Sequence, residues 1–143
     1  MADSTGRSTW RLAAAETPPF VVRKSGAPGP FVLIGDHAGC EVPACLNQLG
    51  LPPEQLQRHI GIDIGVAGLG ALLSEALDAP FIAQRFSRLV IDCNRDPARH
   101  DSICETRDGT RVSGNLGVSA AERAWRVAEV FQPYHDRIGA ELD

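Results

Sequence analysis

A chain of 143 residues with 43 % apolar and 22 % charged residues fits one domain with a buried core, which excludes both global disorder and a two-domain layout. The net charge of −4, with no long basic run, argues against a nucleic-acid surface that works by phosphate neutralisation. No apolar run reaches the ~18–20 residues that span a bilayer, and residues 1 to 16 lack the apolar stretch of a secretory signal, so no membrane span is expected and the cytoplasm is the expected location.

Residues 1–18 read as a flexible leader. Phe20-Val21-Val22 suits a short strand, and the Ser25 to Pro30 segment is a turn-rich break. Phe31-Val32-Leu33-Ile34 reads as a continuous apolar strand buried on both faces, running into the polar loop Gly35-Asp36-His37-Ala38-Gly39. Pro52-Pro53-Glu54 suits a helix start. From Ile64 to Leu77 the spacing of Leu69, Leu72, Leu73, Ala76 and Leu77 predicts a helix, in which Gly65, Gly68 and Gly70 serve close packing rather than function. Asp78-Ala79-Pro80 ends it. Phe81-Ile82-Ala83 and Leu89-Val90-Ile91 are predicted strands, and Asp96 to Gly117 a long polar loop. Ser119 and Glu122 have capping-box spacing and open a helix carrying Ala124, Trp125, Val127, Ala128 and Phe131. Pro133 is expected to kink or end it, and a second helical piece runs from Tyr134. Alternating strands and helices imply an α/β layer structure. The stop inside a predicted helix is read as a chain shorter than its natural fold.

Several residues are candidates for chemistry. His37 follows a predicted buried strand, where α/β proteins place ligand-binding groups, and Asp36 is a candidate to orient its ring. A solvent-facing loop histidine is the equal alternative. Asp63, flanked by isoleucines, needs a compensating cation or helix-end N–H groups; an N-cap for the following helix satisfies that as well as a metal would. Arg88 precedes the predicted strand 89–91 and Asn94-Arg95 follows it. Guanidiniums there suit a carboxylate ligand, or internal pairing with Asp92 and Asp96. His59 reads as a surface or packing histidine, and His135 as either a pocket residue or an exposed one. Cys40, Cys45, Cys93 and Cys104 form no C-x-x-C pair and read as buried or half-buried thiols, with a Cys40 nucleophile beside His37 as the alternative.

Taken in order, Asp36-His37-Ala38-Gly39 with Val42-Pro43, His59-Ile60-Gly61-Ile62-Asp63-Ile64-Gly65, Phe86-Ser87-Arg88-Leu89-Val90-Ile91-Asp92-Cys93-Asn94-Arg95, Ser113-Gly114-Asn115 and Pro133-Tyr134-His135 resemble the N-formylglutamate amidohydrolase family over residues 31 to 143. The resemblance implies an α/β fold with a mixed central sheet flanked by helices, like that of zinc carboxypeptidases and aspartoacylases, with residues 19–143 as the N-terminal part of one such domain. It implies zinc-dependent hydrolysis of a small carboxylate-bearing N-acyl amino acid, typically N-formylglutamate to formate and glutamate, as in histidine degradation. Carried over by position, His37 and Asp63 match metal ligands, with Glu41 in reserve. Arg88 matches the group that polarises the scissile carbonyl, and Asn94 with Arg95 the pair that grips the substrate carboxylate. Family members continue to a further histidine-bearing strand that supplies another ligand. A non-catalytic chain that binds carboxylates without turnover is therefore the alternative function.

Overall fold

The computed structural model describes residues 10–143. Residues 10 to 18, expected in the leader, pack onto the body: Trp10 and Leu12 lie against the core, Arg85 Nη1 donates to Ala15 O at 2.6 Å, and Ala44 N–H donates to Glu16 Oε1 at 2.7 Å. Residues 1–9 of that leader lie outside the described residues.

The central sheet is small and mixed, as expected. Strand β1 (Phe20–Arg23) runs antiparallel to β3 (Phe81–Gln84), and β2 (Leu33–Gly35) runs parallel to β3, giving the order β1-β3-β2. β2 begins two residues later than the apolar run predicts and forms an edge. Phe31 and Ile34 are each about half exposed there, so this strand is not buried on both faces.

Between β2 and β3 lie a short helix α1 (Pro53–Leu56) and the longer α2 (Val66–Leu77). The predicted helix is present, but its buried seam is Gly70 and Ser74. A Cβ on Gly70 would stand 2.2 Å from the Phe81 ring, so only glycine lets α2 approach the sheet this closely. Leu69, Leu72, Leu73 and Leu77 all face outward, Leu72 at 72 % exposure. Asp78 ends α2 in the left-handed region, with Ser74 Oγ donating to Ala79 O at 2.7 Å.

The predicted strand Leu89–Ile91 is instead a buried turn closed by Val90 N–H to Ser87 O at 2.9 Å. Its residues are almost wholly buried, which demands partners for its carbonyls. Side chains supply them: Asn115 Nδ2 donates to Leu89 O at 2.8 Å and Arg126 Nη1 to Val90 O at 2.8 Å. The following polar loop is structured as well. It includes the hairpin β4 (Thr106–Arg107) and β5 (Thr110–Arg111), turned by Asp108 and Gly109, both at positive φ.

Helix α3 (Ala120–Arg126) starts as its capping signal predicts, with Glu122 N–H donating to Ser119 Oγ at 3.1 Å. It does not stop at Pro133. It passes through a wider π turn (Val127–Phe131), where Gln132 N–H reaches Val127 O, into α4 (Gln132–Leu142). Pro133 then occupies the first turn of α4, where a missing N–H costs little. Among the described residues no helix is long and apolar enough to cross a membrane.

Candidate active site

Three short segments meet at one edge of the core. The first leaves β2 at Gly35 and delivers His37, which is buried. The second leads into α2, where Asp63 N–H donates to His37 O at 2.9 Å and so fixes the two backbones together. The third is the buried turn, which presents Arg88 at its start and Asp92, Asn94 and Arg95 at its end.

His37 has a carboxylate at each ring nitrogen. Nε2 lies 2.6 Å from Asp92 Oδ1, and Nδ1 lies 3.2 Å from Asp63 Oδ2. Arg88 ties both acids together, Nη1 donating to Asp63 Oδ1 at 2.9 Å and Nη2 reaching Asp92 Oδ2 at 3.4 Å. Arg95 Nε donates to Asp92 Oδ2 at 3.2 Å, and the Asn94 backbone N–H to Asp92 Oδ1 at 3.0 Å. Asp92 is therefore the hub. Burial pushes its pKa up, but the hydrogen bonds from His37 and Asn94 N–H, with the charges of His37 and Arg88, outweigh burial and hold the carboxyl well below its usual range.

A neutral imidazole has one N–H, so it can serve only one of two facing carboxylates; the other pairing takes either a second ring proton or a metal ion between nitrogen and oxygen. The short contact at Nε2 suits an N–H held by Asp92, the arrangement that orients metal-binding histidines. Nδ1 then faces Asp63 Oδ2 at 3.2 Å. Tetrahedral zinc with N and O ligands at ~2.0–2.2 Å places ligand atoms about 3.3 Å apart, close to the 3.2 Å observed. His37 and Asp63 thus fit as two ligands of one ion. Among the described residues no group of three or more His, Cys, Asp or Glu is arranged to hold a metal.

His37, Arg88, Asp92, Asn94, Arg95 and Arg99 line one cavity of about 370 Å³, so the residues singled out by sequence do come together, apart from Asp63, which contacts His37 and Arg88 without lining the cavity. Asp63 does not cap α2, whose N-cap is Gly65. Asp36 does not orient the His37 ring; it accepts from the buried Tyr134 hydroxyl at 2.7 Å, an interaction that, with burial, raises the tyrosine pKa. Glu41 pairs with Arg85 at 2.8 Å, away from His37, and lines with Cys40 a separate, more apolar cavity between the sheet and the start of α2. All four cysteines are free; Cys93 is fully buried and its pKa is pushed up to about 12, chiefly by burial. His59 is exposed and faces Asp108, while His135 braces the site loop, its Nε2 2.9 Å from Cys93 O.

Sequence reasoning treated Asp92 only as a pairing acid. Its signal was its place directly after a fully apolar run and four residues beyond Arg88. Asn115 and Arg126 were not read as supports. Arg126 is fully buried, bonded to Val90 O, Asn115 Oδ1 and Glu122, and burial lowers its pKa.

Fold and site together define an α/β domain with a cavity lined by three arginines, two aspartates and a histidine that is set between two carboxylates. The chain belongs to the N-formylglutamate amidohydrolase family, which matches residues 29–143. Among solved structures it is similar to the gene product Atu2144 of Agrobacterium tumefaciens, with 33 % identity and a TM-score of 0.88 over 92 % of this chain and 52 % of that one. It shares its fold with the N-formylglutamate amidohydrolase of Ralstonia eutropha JMP134, at 23 % identity and a TM-score of 0.53, covering 86 % of this chain and 50 % of that one. The chain thus spans about half the length of these structures. Comparison with the curated proteins finds no match.

Proposed function

We propose that the chain belongs to a zinc-dependent amide hydrolase of the zinc-carboxypeptidase-like type, acting on a small N-acyl amino acid, with N-formylglutamate as the substrate. The observation that carries this reading is His37, held at Nε2 by Asp92 and turned with Nδ1 toward Asp63 at a ligand–ligand spacing. His37 and Asp63 would hold the ion; when bound, it supplies Lewis acidity at the attacked carbonyl and lowers the pKa of water.

The chain's own residues do the rest. Asp92 fixes the ring of His37 and balances the guanidiniums of Arg88 and Arg95. Arg88 is mostly buried and is held by Asp63 and Asp92, and its Nε has no hydrogen-bond partner among the described residues. A guanidinium fixed this way stabilises charge developing on the carbonyl oxygen without reorganising. Asn94, whose side chain is exposed to the cavity, and Arg95, whose Nη2 stays unspent, grip the substrate carboxylate.

The test is formate release from N-formylglutamate with added zinc. It is expected to be abolished by His37→Ala, strongly reduced by Arg88→Ala and lost on chelation. Undiminished activity in His37→Ala would overturn the assignment. A second reading is favoured by the two-ligand cluster among the described residues: a carboxylate-binding chain without turnover. Calorimetry separates the two, since glutamate binding without zinc binding supports the second alone.

A further inference from the structure

Helix α4 meets two of the site's loops with two consecutive residues. Tyr134 is fully buried and donates its hydroxyl to Asp36 Oδ1 at 2.7 Å, next to His37. His135 Nε2 lies 2.9 Å from Cys93 O, next to Asp92. A carbonyl only accepts, so Nε2 carries the proton of that bond. Phe131, one turn earlier, stacks on the His135 ring at 4.2 Å between centroids and sets its direction. The first loop carries His37 and the second Asp92, and those two make the 2.6 Å contact on which the orientation of the imidazole depends.

The helix reaches both loops because of its wider turn. Pro133 has no N–H, and in a regular helix its ring would crowd Glu129 O. The π turn at Val127–Phe131 opens the ladder just before it, with Gln132 N–H bonded to Val127 O. In an unbroken α-helix, positions eight apart drift by about 80° around the axis. The wider turn offsets that drift, and Arg126, Val130 and Tyr134 all face inward, each at most 1 % exposed. Arg126 holds Val90 O, and Gln84 Nε2 reaches Val130 O at 3.5 Å, so one seam runs from the buried turn past the end of β3 to Asp36. Packing alone asks less than this. A phenylalanine at 134 would fill the same space without a hydroxyl that is costly to bury unless bonded. The polar tips of both residues are spent on the two loops and not on neighbours within the helix.

Resting on the proposed function, we infer that Tyr134 and His135 are positioning residues: as one clamp they fix the separation of the loops carrying His37 and Asp92, which keeps His37 Nε2 on Asp92 and leaves Nδ1 turned toward Asp63 for the ion.

The test uses the 143-residue chain with Tyr134→Phe, His135→Leu and His135→Gln, whose amide can donate to the same carbonyl. Zinc affinity, read by competition with a chromogenic chelator, is expected to fall about 10-fold in Tyr134→Phe and in His135→Leu, the lower end for hydrogen bonds that orient a metal ligand from outside. His135→Gln should recover most of it. A loss of stability alone leaves the folded fraction near one and does not move the affinity, and urea unfolding in chelator checks this. A second readout needs no metal: the buried His37 Nε2 proton should appear in proton NMR of the chelated chain as a slowly exchanging downfield signal, broadened or lost in Tyr134→Phe. Zinc binding that is unchanged in both Tyr134→Phe and His135→Leu overturns the clamp while leaving the proposed function standing. Affinity lost in His135→Leu and not regained in His135→Gln overturns the part assigned to the His135 hydrogen bond. If the unmodified chain binds no zinc, the proposed function falls, and an Nε2 proton signal equally sharp in Tyr134→Phe then overturns the clamp as well.

Discussion

Replacing Asp92 by asparagine removes one negative charge and almost no volume. In the folded protein that charge is 4 % exposed and faces His37, Arg88 and Arg95, so its loss leaves two guanidiniums crowded beside a buried neutral amide. Removing one partner of a buried pair costs about 3–5 kcal/mol. Arg88 keeps Asp63 and Arg95 keeps Asp101, which places Asp92→Asn near the lower end, about 3 kcal/mol. At a urea slope of about 2 kcal/mol/M for a domain of this size, the unfolding midpoint falls by about 1.5 M. The assay is urea unfolding followed by circular dichroism, in buffer containing a chelator so that metal binding does not contribute. Asp96→Asn is the control, because the exposed Asp96 uses an oxygen that asparagine retains to accept from Ala98 N–H; its change should stay within about 0.5 kcal/mol. A loss below about 1 kcal/mol for Asp92→Asn, or equal losses for the two variants, would refute the hub argument.

Gly70→Ala places a methyl group inside the Phe81 ring's space and is expected to cost about 1–3 kcal/mol in the same assay, whereas Gly68→Ala, with nothing within 4 Å, should be neutral or stabilising. Leu72→Glu should change stability by no more than about 0.5 kcal/mol while reducing binding of an apolar fluorescent dye, because Leu72 belongs to the outward leucine row of α2. Cys93 should resist alkylation of the folded protein at pH 8 and react only once urea unfolds it, since its pKa near 12 leaves almost no thiolate; mass spectrometry of the labelled peptides reads this directly.

Periodicity found α2, α3 and β3 because each carries its own signal in consecutive residues. It misjudged which side of α2 is buried. The leucines at 69, 72, 73 and 77 obey helical spacing, yet contact with the sheet is made by Gly70 and Ser74, and no hydrophobicity scale ranks those two as a core face. The run Leu89-Val90-Ile91 failed differently. Continuous apolarity reports burial, and these residues are buried, but the carbonyl partners that decide between strand and turn come from Asn115 and Arg126. The Asp108-Gly109 pair was a legible hairpin signal inside a segment read as loop. At the site, His37, Asp63, Arg88, Asn94 and Arg95 were legible as candidates because each stands beside a predicted element, while Asp92's centrality depends on distances between segments that local sequence does not encode.

The turn that carries Arg88 and Asp92 owes its shape to residues far along the chain: Asn115 and Arg126 hold its carbonyls, Ser102 O accepts from Asp92 N–H, and His135 meets Cys93 O. The sheet has its own ladder and needs none of these. Order in the cavity and docking of α3 and α4 therefore belong to one cooperative unit, whose opening costs less than unfolding of the whole molecule. A fluctuation that lifts those helices dissolves the cavity, whereas the backbone ladder of β1, β3 and β2 uses none of those bonds. Amide protons at Val90 and Asp92 would then exchange with those of α3 rather than with those of β3, and ligand binding at the cavity would slow exchange in helices it never touches.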